Sequence, residues 1–317
     1  MLVLLLAACS ADAPHGPGGA SPSLDPVRIG WQTTWGTQGQ LTMVLQRTDI
    51  LAKHGLAGEF VGFSYGGPLN EGALAGAVDV VFTADQPALV LATRAPAWGV
   101  VARLMNNRVG LFVPEASAVT DVSGLRGQTL AVPFGAAAHR HALAAVRAAG
   151  LDPATDMKIV NLGIEEIGAL ASGGWGDVAA AAAWDPLYAS LETGGAVKTL
   201  AETTVTAVVL MDDAYVAAHP GADVRLRDAV GEAWGYYAAH TAEANAWFRD
   251  AGKLTYDDAV LARAASVEPN LVPGAAVRIT LDAEDLANLD AARAFLADAK
   301  LLADPIAVDR ILRPSAR

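Results

Sequence analysis

The chain has 317 residues and a net charge of -12, with 22 lysines and arginines against 34 aspartates and glutamates, a balance that argues against nucleic-acid binding. Hydrophobic residues make up 53 % of the chain, but many are alanine, and no run approaches the ~20 apolar residues that a membrane-spanning helix needs. Chains of this length usually divide into two lobes, which leaves room for a cleft between them.

The N-terminus carries a short apolar run that ends in Leu-Ala-Ala-Cys at residues 6–9. This tetrapeptide resembles a bacterial lipobox, whose cysteine is diacylated and becomes the mature N-terminus. Cys9 is the only cysteine, so it cannot form an intramolecular disulfide. We expect a lipoprotein signal and flexible tether over residues 1–26, because the Pro/Gly/Ser-rich stretch after Cys9 is typical of a linker. The alternative is that Cys9 is a buried free thiol. Signal peptides normally begin with a positively charged segment, and no lysine or arginine lies between Met1 and Cys9.

Strands and helices are predicted to alternate from Val27 onward. The segment 27–31 predicts a buried strand, and apolar residues at helical spacing then predict a helix that stops at Gly55. Further strands are predicted at 58–65, 78–84, 98–105 and 109–115, and helices at 68–76 and 85–95. This alternation is typical of α/β units with a mainly parallel sheet.

A second α/β set is predicted after Leu125. Its strands are predicted at 128–133, 157–163, 177–184 and 205–213, and its helices at 138–149, 165–174 and 185–195. After about Asp212 the pattern becomes mostly helical. The chain is therefore expected to leave one lobe, build another and return.

Five loops follow predicted strands and are polar, aromatic or rich in Gly and Pro. They cover residues 31–39, 63–68, 83–87, 133–140 and 184–188. In open α/β sheets, ligands bind beyond the carboxyl ends of the strands, so these loops are expected to form a binding cleft. Each loop taken alone is also explained by ordinary turn chemistry.

Several segments together resemble the periplasmic substrate-binding proteins of nitrate, sulfonate and taurine ABC importers. The resemblance extends from about Val27 to about Leu312. Its most specific parts are FTADQPA, which corresponds to a Thr-Gly-Asp-x-Pro-Pro pattern of the family, and AWDPLY, which corresponds to Trp-Asp-Pro-Tyr. The helix-opening segment LRGQTLAVPFGAAAHRH is a further match.

The resemblance implies a type II periplasmic binding protein fold, in which two α/β lobes joined by two hinge crossings surround a central cleft. We place the crossings near 113–116 and 210–213. Residues 27–114 plus 213–317 would then form a discontinuous lobe 1, and residues 115–212 would form lobe 2. Closure by hinge motion would trap a small ligand between the lobes.

One family motif is altered in a way that bears on the ligand. Relatives that carry sulfonates have Gly-Ser-Ser-x-His where this chain has Gly135 to His139, so Ala136 and Ala137 replace two serine hydroxyl donors. A hydrogen bond to a charged group is typically worth about 1.5–3 kcal/mol. Thr33 also stands where the family places a lysine. These changes favour an organic anion with an apolar body, or a largely apolar molecule, over a simple sulfonate.

The candidate ligand-binding residues lie in or beside the five loops. They are Gln32, Thr34, Trp35, Tyr65, Gly66, Thr83, Asp85, Gln86, Phe134, Gly135, Ala136, Ala137, His139, Trp184 and Asp185. Four also have an ordinary structural alternative: His139 could bond a neighbouring backbone group, Asp85 and Asp185 could be helix N-caps, and Trp184 could belong to the core. The aromatic residues on the later helices, such as Trp234 and Phe248, are expected to pack rather than bind.

The sequence thus predicts a monomeric, lipid-anchored solute-binding protein of the cell envelope, outside the cytoplasm. Its partners would be an ABC permease and its ATPase, its membrane contact would be the Cys9 lipid alone, and it would have no cofactor or metal. The alternative is an enzyme on the same fold, of the pyrimidine-precursor or menaquinone-pathway type. The former would need a cysteine-rich cluster, which a chain with one cysteine lacks. No catalytic constellation stands out.

Overall fold

The computed structural model describes residues 24–316. The predicted lipidation site Cys9 and most of the predicted signal and tether lie outside the described residues. Among the residues that are described, no helix is both long and apolar enough to cross a membrane.

The predicted alternation of strands and helices is confirmed. The strands are β1 (Asp25–Gln32), β2 (Leu56–Phe63), β3 (Val80–Ala84), β4 (Trp98–Pro114), β5 (Thr129–Val132), β6 (Lys158–Asn161), β7 (Ala180–Trp184) and β8 (Val197–Asp212). The helices up to β8 are α1 (Gln38–Arg47), α2 (Ile50–Lys53), α3 (Gly66–Leu74), α4 (Asp85–Arg94), α5 (Ala137–Ala148), α6 (Ile164–Gly173) and α7 (Leu187–Thr193). After β8 come α8 (Asp213–Ala218), α9 (Ala222–Ala239), α10 (Thr241–Gly252), α11 (Asp258–Ala264), α12 (Ala283–Asp298) and α13 (Val308–Ile311).

The strands form one mixed sheet in the order β2-β1-β3-β8-β4-β7-β5-β6. Pairing is parallel among β1, β2 and β3 and among β5, β6 and β7, but β8 is antiparallel to β3 and β4, and β4 is antiparallel to β7. The prediction of a mainly parallel sheet is wrong at the centre. The reason is that β4 carries the chain out of one half and β8 brings it back, so the two strands run in opposite directions.

The first half consists of β1–β3 with α1–α4, together with α9, α10 and α12, which pack on them. The second half consists of β5–β7 with α5–α7. Because β4 and β8 pair with each other along their whole length and with strands of both halves, they hold the two halves together.

Two strands predicted separately at 98–105 and 109–115 are the single strand β4, and the strand predicted from 205 begins at Val197 as β8. Strand β8 pairs with β3 from Ala207 onward, and β4 pairs with β7 from Val109 onward. The pairing therefore changes near 106–108 and 205–207, in the middle of both strands rather than at their ends, where the crossings were predicted. The domain limits remain a prediction.

The aromatic residues of α9 and α10 pack against the core, as predicted, three of them fully buried and Tyr236 and Trp247 half-buried. Trp234, Tyr237 and Phe248 are inaccessible to solvent, and Trp234 Nε1 donates to the carbonyl oxygen of Leu104 at 3.0 Å. A buried indole usually finds such a partner. This contact fixes α9 against β4.

A buried ion pair also attaches the C-terminal segment to β4. Arg103 and Glu268 are buried, and the guanidinium donates to both carboxylate oxygens, at 3.1 and 2.9 Å. The amide of Asn106 donates to the same carboxylate at 2.7 Å. The segment that completes the first half is therefore held close to the place where the strand pairing changes.

Replacing Glu268 by Gln should destabilise the protein strongly, because Arg103 would keep its buried charge with only Asp285, at 3.5 Å, beside it. We expect a loss of about 3 kcal/mol in the free energy of unfolding, measured by urea denaturation. The control is Asp213→Asn, which breaks the more exposed pair with Arg313 and should cost less than about 1 kcal/mol. Equal losses in the two variants would contradict the role given to Glu268.

Candidate functional site

A cavity lies between the two halves, at the carboxyl ends of β1, β3 and β7. The cavity is partly open, and the space free of protein atoms there, open solvent included, is about 330 Å³. The lining residues are Gln32, Trp35, Tyr65, Gly66, Ala84, Pro87, Asn107, Val109, Ala136, Ala137, Trp184 and Val205. All five loops selected from the sequence contribute to this wall. None of the lining side chains carries a charge.

Seven of the predicted ligand-binding residues line the cavity. They are Gln32, Trp35, Tyr65, Gly66, Ala136, Ala137 and Trp184. The other eight do not line it: Thr34, Thr83, Asp85, Gln86, Phe134, Gly135, His139 and Asp185. Ligand contact by any of these residues remains a prediction.

Two of the loops meet closely at one wall of the cavity. Gly66 begins α3 directly against Pro87 at the start of α4, and a Cβ added at residue 66 would lie 2.7 Å from Pro87 Cγ. Any larger residue at position 66 would therefore push the loops after β2 and β3 apart.

Helix α5 begins at the cavity without a side-chain cap. Ala136, the residue before the helix, is extended, and no side chain caps the helix. Within residues 24–316, the amides of Ala137 and Ala138 have no hydrogen-bond acceptor. Because Ala136 and Ala137 line the cavity, these two donors and the positive end of the helix dipole are available to a ligand oxygen.

His139 and Phe134 lie on the other side of this helix start. His139 Nδ1 is 3.4 Å from the amide of Gly135, which donates to it, and the imidazole stacks on Phe134 with 4.9 Å between ring centroids. The edge of Phe295 on α12 contacts the same imidazole. Burial lowers the pKa of His139. His139 thus bonds a neighbouring backbone amide, which was the alternative to ligand binding.

Asp85 makes a buried ion pair across the two halves. It is the first residue of α4 and not its N-cap, which is Ala84. Its Oδ2 accepts from Arg140 Nη2 on α5, and its Oδ1 accepts from the amide of Gln86 at 2.6 Å. Gln86 Nε2 donates to the carbonyl oxygen of Gly135 at 3.1 Å. Burial raises the pKa of Asp85, and the Arg140 guanidinium opposes that rise.

Asp185 belongs to a second buried network, next to Trp184. Its carboxylate accepts from Arg108 at 2.8 and 3.2 Å and from the amide of Ala189 at 2.8 Å. Arg108 also donates to Glu192 and Glu202, at 3.1 and 3.0 Å. Burial raises the pKa of Asp185 to about 7. These contacts place the carboxylate within the network rather than at the cavity wall.

Asn107 is a cavity residue that the sequence analysis missed. It lies on β4 where the strand pairing changes, its side chain is fully buried, and within the described part of the chain neither Nδ2 nor Oδ1 has a partner. Trp35 Nε1 is likewise unpartnered. A buried polar atom without a partner costs about 1–3 kcal/mol, so such atoms at a cavity wall favour a polar ligand. The sequence did contain a signal for this residue, because the polar run Asn-Asn-Arg at 106–108 interrupts an otherwise apolar strand.

The same region offers no metal site. Among residues 24–316, no three or more His, Cys, Asp and Glu side chains are grouped so that they could hold a metal ion. The groups of the cavity wall that could contact a ligand are therefore its aromatic side chains, the free amides of α5 and Asn107.

Replacing Asn107 by Leu should stabilise the ligand-free protein, because two unpartnered polar atoms are removed, the branched shape is kept and the larger methyl groups can extend into the cavity. We expect a gain of about 1 kcal/mol in the free energy of unfolding, measured by urea denaturation. Asn270→Leu is the matched control and should destabilise the protein, since the buried Asn270 side chain bonds the backbone of Arg278 at 3.1 and 2.7 Å. If both variants lose stability alike, Asn107 is an ordinary structural residue.

Comparisons with known proteins agree with the resemblance noted in the sequence. The periplasmic aliphatic sulphonate-binding protein SsuA from Escherichia coli is 21 % identical, with a TM-score of 0.73 over 92 % of each chain. The alkanesulfonate-binding protein SsuA from Xanthomonas axonopodis pv. citri, solved bound to MOPS, is 21 % identical, with a TM-score of 0.73 over 93 % of this chain and 99 % of that one. At these identities the likeness shows the fold.

An enzyme has a similar structure. The desulfurization enzyme DSZB, crystallised as a cysteine-to-serine variant with biphenyl-2-sulfinic acid, is 17 % identical, with a TM-score of 0.68 over 92 % of this chain and 96 % of that one. No curated protein matches the sequence. The family model described as NMT1/THI5 like matches residues 55–244, more than half of the chain. The protein therefore belongs to the NMT1/THI5-like family and has the periplasmic binding protein fold.

Proposed function

We propose that this protein is the solute-binding component of an ABC importer and holds a small organic molecule between its two halves. The observation that carries the proposal is the cavity itself, where five strand-end loops from both halves surround buried polar atoms that have no protein partner. A mostly apolar cavity with a few convergent polar groups is typical of a small-molecule site.

The cavity has a polar part and an aromatic part. The free amides of Ala137 and Ala138 and the side chain of Asn107 would hold the polar end of the ligand. Trp35, Tyr65 and Trp184 would contact its body. An organic anion with an apolar body, or a largely apolar molecule, fits a cavity with one polar and one aromatic part better than a small sulfonate does.

Ligand entry would require the halves to separate. The contacts that join them next to the cavity are the Asp85–Arg140 pair and the bond from Gln86 to Gly135. Both would have to break, with bending of β4 and β8 where their pairing changes. Outside the cytoplasm, the protein would deliver its ligand to a membrane permease that is driven by an ATPase. A lipid on Cys9 would anchor it to the membrane.

The enzyme alternative is less well supported, although DSZB shares the fold. The only cysteine is Cys9, and no lining residue is a carboxylate, histidine, lysine or cysteine. Tyr65 is the single ionisable side chain among the lining residues, and a wall of this kind is suited to binding rather than to chemistry.

Native mass spectrometry of the unfolded and refolded protein, incubated with a metabolite extract, tests the proposal. We expect one small molecule per chain, lost in Trp184→Ala but kept in Trp247→Ala, which removes a half-buried tryptophan of α10 that does not line the cavity. Failure to retain any molecule, or conversion of the bound molecule into a product, would count against a binding protein.

Restoring the family's two hydroxyl donors should improve the binding of simple sulfonates. In the double variant Ala136→Ser, Ala137→Ser, we expect ethanesulfonate to bind at least about tenfold more tightly than to the natural protein, measured by calorimetric titration. The control is Ala148→Ser, at an exposed position near the end of the same helix. Micromolar binding of ethanesulfonate by the natural protein would show that the two hydroxyls are not needed.

A further inference from the structure

The charges near the cavity cancel in pairs. The charged residues that flank its wall in the chain are Asp85, Arg108 and Asp185, and Arg140 reaches the wall from the first turns of α5. Arg140 is paired with Asp85, and Arg108 is paired with Asp185, so these four groups sum to zero. Arg108 also contacts two further carboxylates. The positive charge of each guanidinium is therefore balanced by a carboxylate, while Arg140 Nε is buried and has no hydrogen-bond partner among residues 24–316.

The pair on α5 matters most for the ligand. Arg140 lies near the positive end of the helix whose free amides reach the cavity, and its side chain is only 11 % exposed. A guanidinium in that place would add to the helix dipole and strengthen an anion site. Instead, the fully buried carboxylate of Asp85 neutralises the charge of Arg140. The carboxylate comes from the other half of the protein, so the cancellation exists when the halves are together.

Asn107 indicates what the ligand offers instead of a charge. Both its amide nitrogen, a donor of two hydrogens, and its amide oxygen, an acceptor, are buried and unpartnered at the cavity wall. A carboxylate or sulfonate could satisfy the donor but not the acceptor. A carboxamide-like edge, which carries a donor beside an acceptor, satisfies both.

We infer that Asp85 is a specificity-determining residue that selects against anions, and that the cavity takes an uncharged aromatic molecule with a carboxamide-like edge. The edge pairs with Asn107, and the ring lies among Trp35, Tyr65 and Trp184. This inference rests on the proposed solute-binding function and narrows its ligand to an uncharged class.

The first test compares shape-matched probes on the natural protein. Aromatic carboxamides such as benzamide and nicotinamide are titrated calorimetrically against benzoate, nicotinate and benzenesulfonate at pH 8, where these three probes are anions. We expect the best carboxamide to bind at least about tenfold more tightly than its acid. Tighter binding of the acids, or no binding of any carboxamide, would overturn the inference.

The second test frees the guanidinium. Asp85→Asn keeps the size of the side chain but leaves Arg140 unneutralised, so benzoate and benzenesulfonate should gain at least about tenfold in affinity. Asp213→Asn, which removes an aspartate from another arginine pair away from the cavity, should leave the order of the probes unchanged. A folded Asp85→Asn protein without this gain would overturn the role of Asp85.

The outcomes separate this inference from the proposed function. If Asp85→Asn does not fold, the comparison of probes on the natural protein decides. Retention of an anionic molecule from the metabolite extract would leave the binding function intact and reject the uncharged ligand. Retention of no molecule at all would reject the binding function itself.

Discussion

The pairing of β4 with β8 is the constraint on which the rest of the structure depends. The two strands are paired from Trp98 with Asp212 to Pro114 with Val197, so they form one continuous ribbon through both halves. The parallel strands of each half are attached to opposite ends of this ribbon. Asn107 on β4 and Val205 on β8 lie where the pairing changes, and both line the cavity. The floor of the cavity is therefore part of the connection between the halves.

The polar groups around the cavity are of two kinds. Asp85, Arg108, Arg140 and Asp185 are buried but paired, and a buried pair contributes little net stability while its separated members are costly. Asn107 and the first amides of α5 are buried or enclosed and unpaired. The paired groups thus define how the halves fit together, and the unpaired groups remain for a ligand to satisfy.

The fold and most of the cavity wall follow from local sequence patterns. Strand and helix periodicity predicts the elements, and the rule that ligands lie beyond strand ends selects loops that do meet at one cavity. The course of β4 and β8 was harder to predict, because Asn-Asn-Arg interrupts the apolar pattern of β4 and so suggests two strands. Their central, antiparallel position depends on contacts between distant segments.

Individual side chains were predicted less well than loops. Ala136 and Ala137 line the cavity, but His139 lies on the far side of the same helix turn, as the helical period of 3.6 residues dictates. Arg140 could not be recognised, since its partner Asp85 is 55 residues away in the chain. Asn107 was missed because Asn-Asn-Arg was interpreted as a break between two strands and not as polar groups within one strand.

The central claim is that the two halves move apart and close around a small molecule. It is tested most directly by the distance between spin labels on Ala148→Cys in α5 and Ala287→Cys in α12, both exposed, in a Cys9→Ser background. Pulsed electron paramagnetic resonance measures the distribution of distances between the two labels. With the molecule retained from the metabolite extract, the mean distance should be shorter and the distribution narrower than without it. The same distribution in both samples would contradict the account.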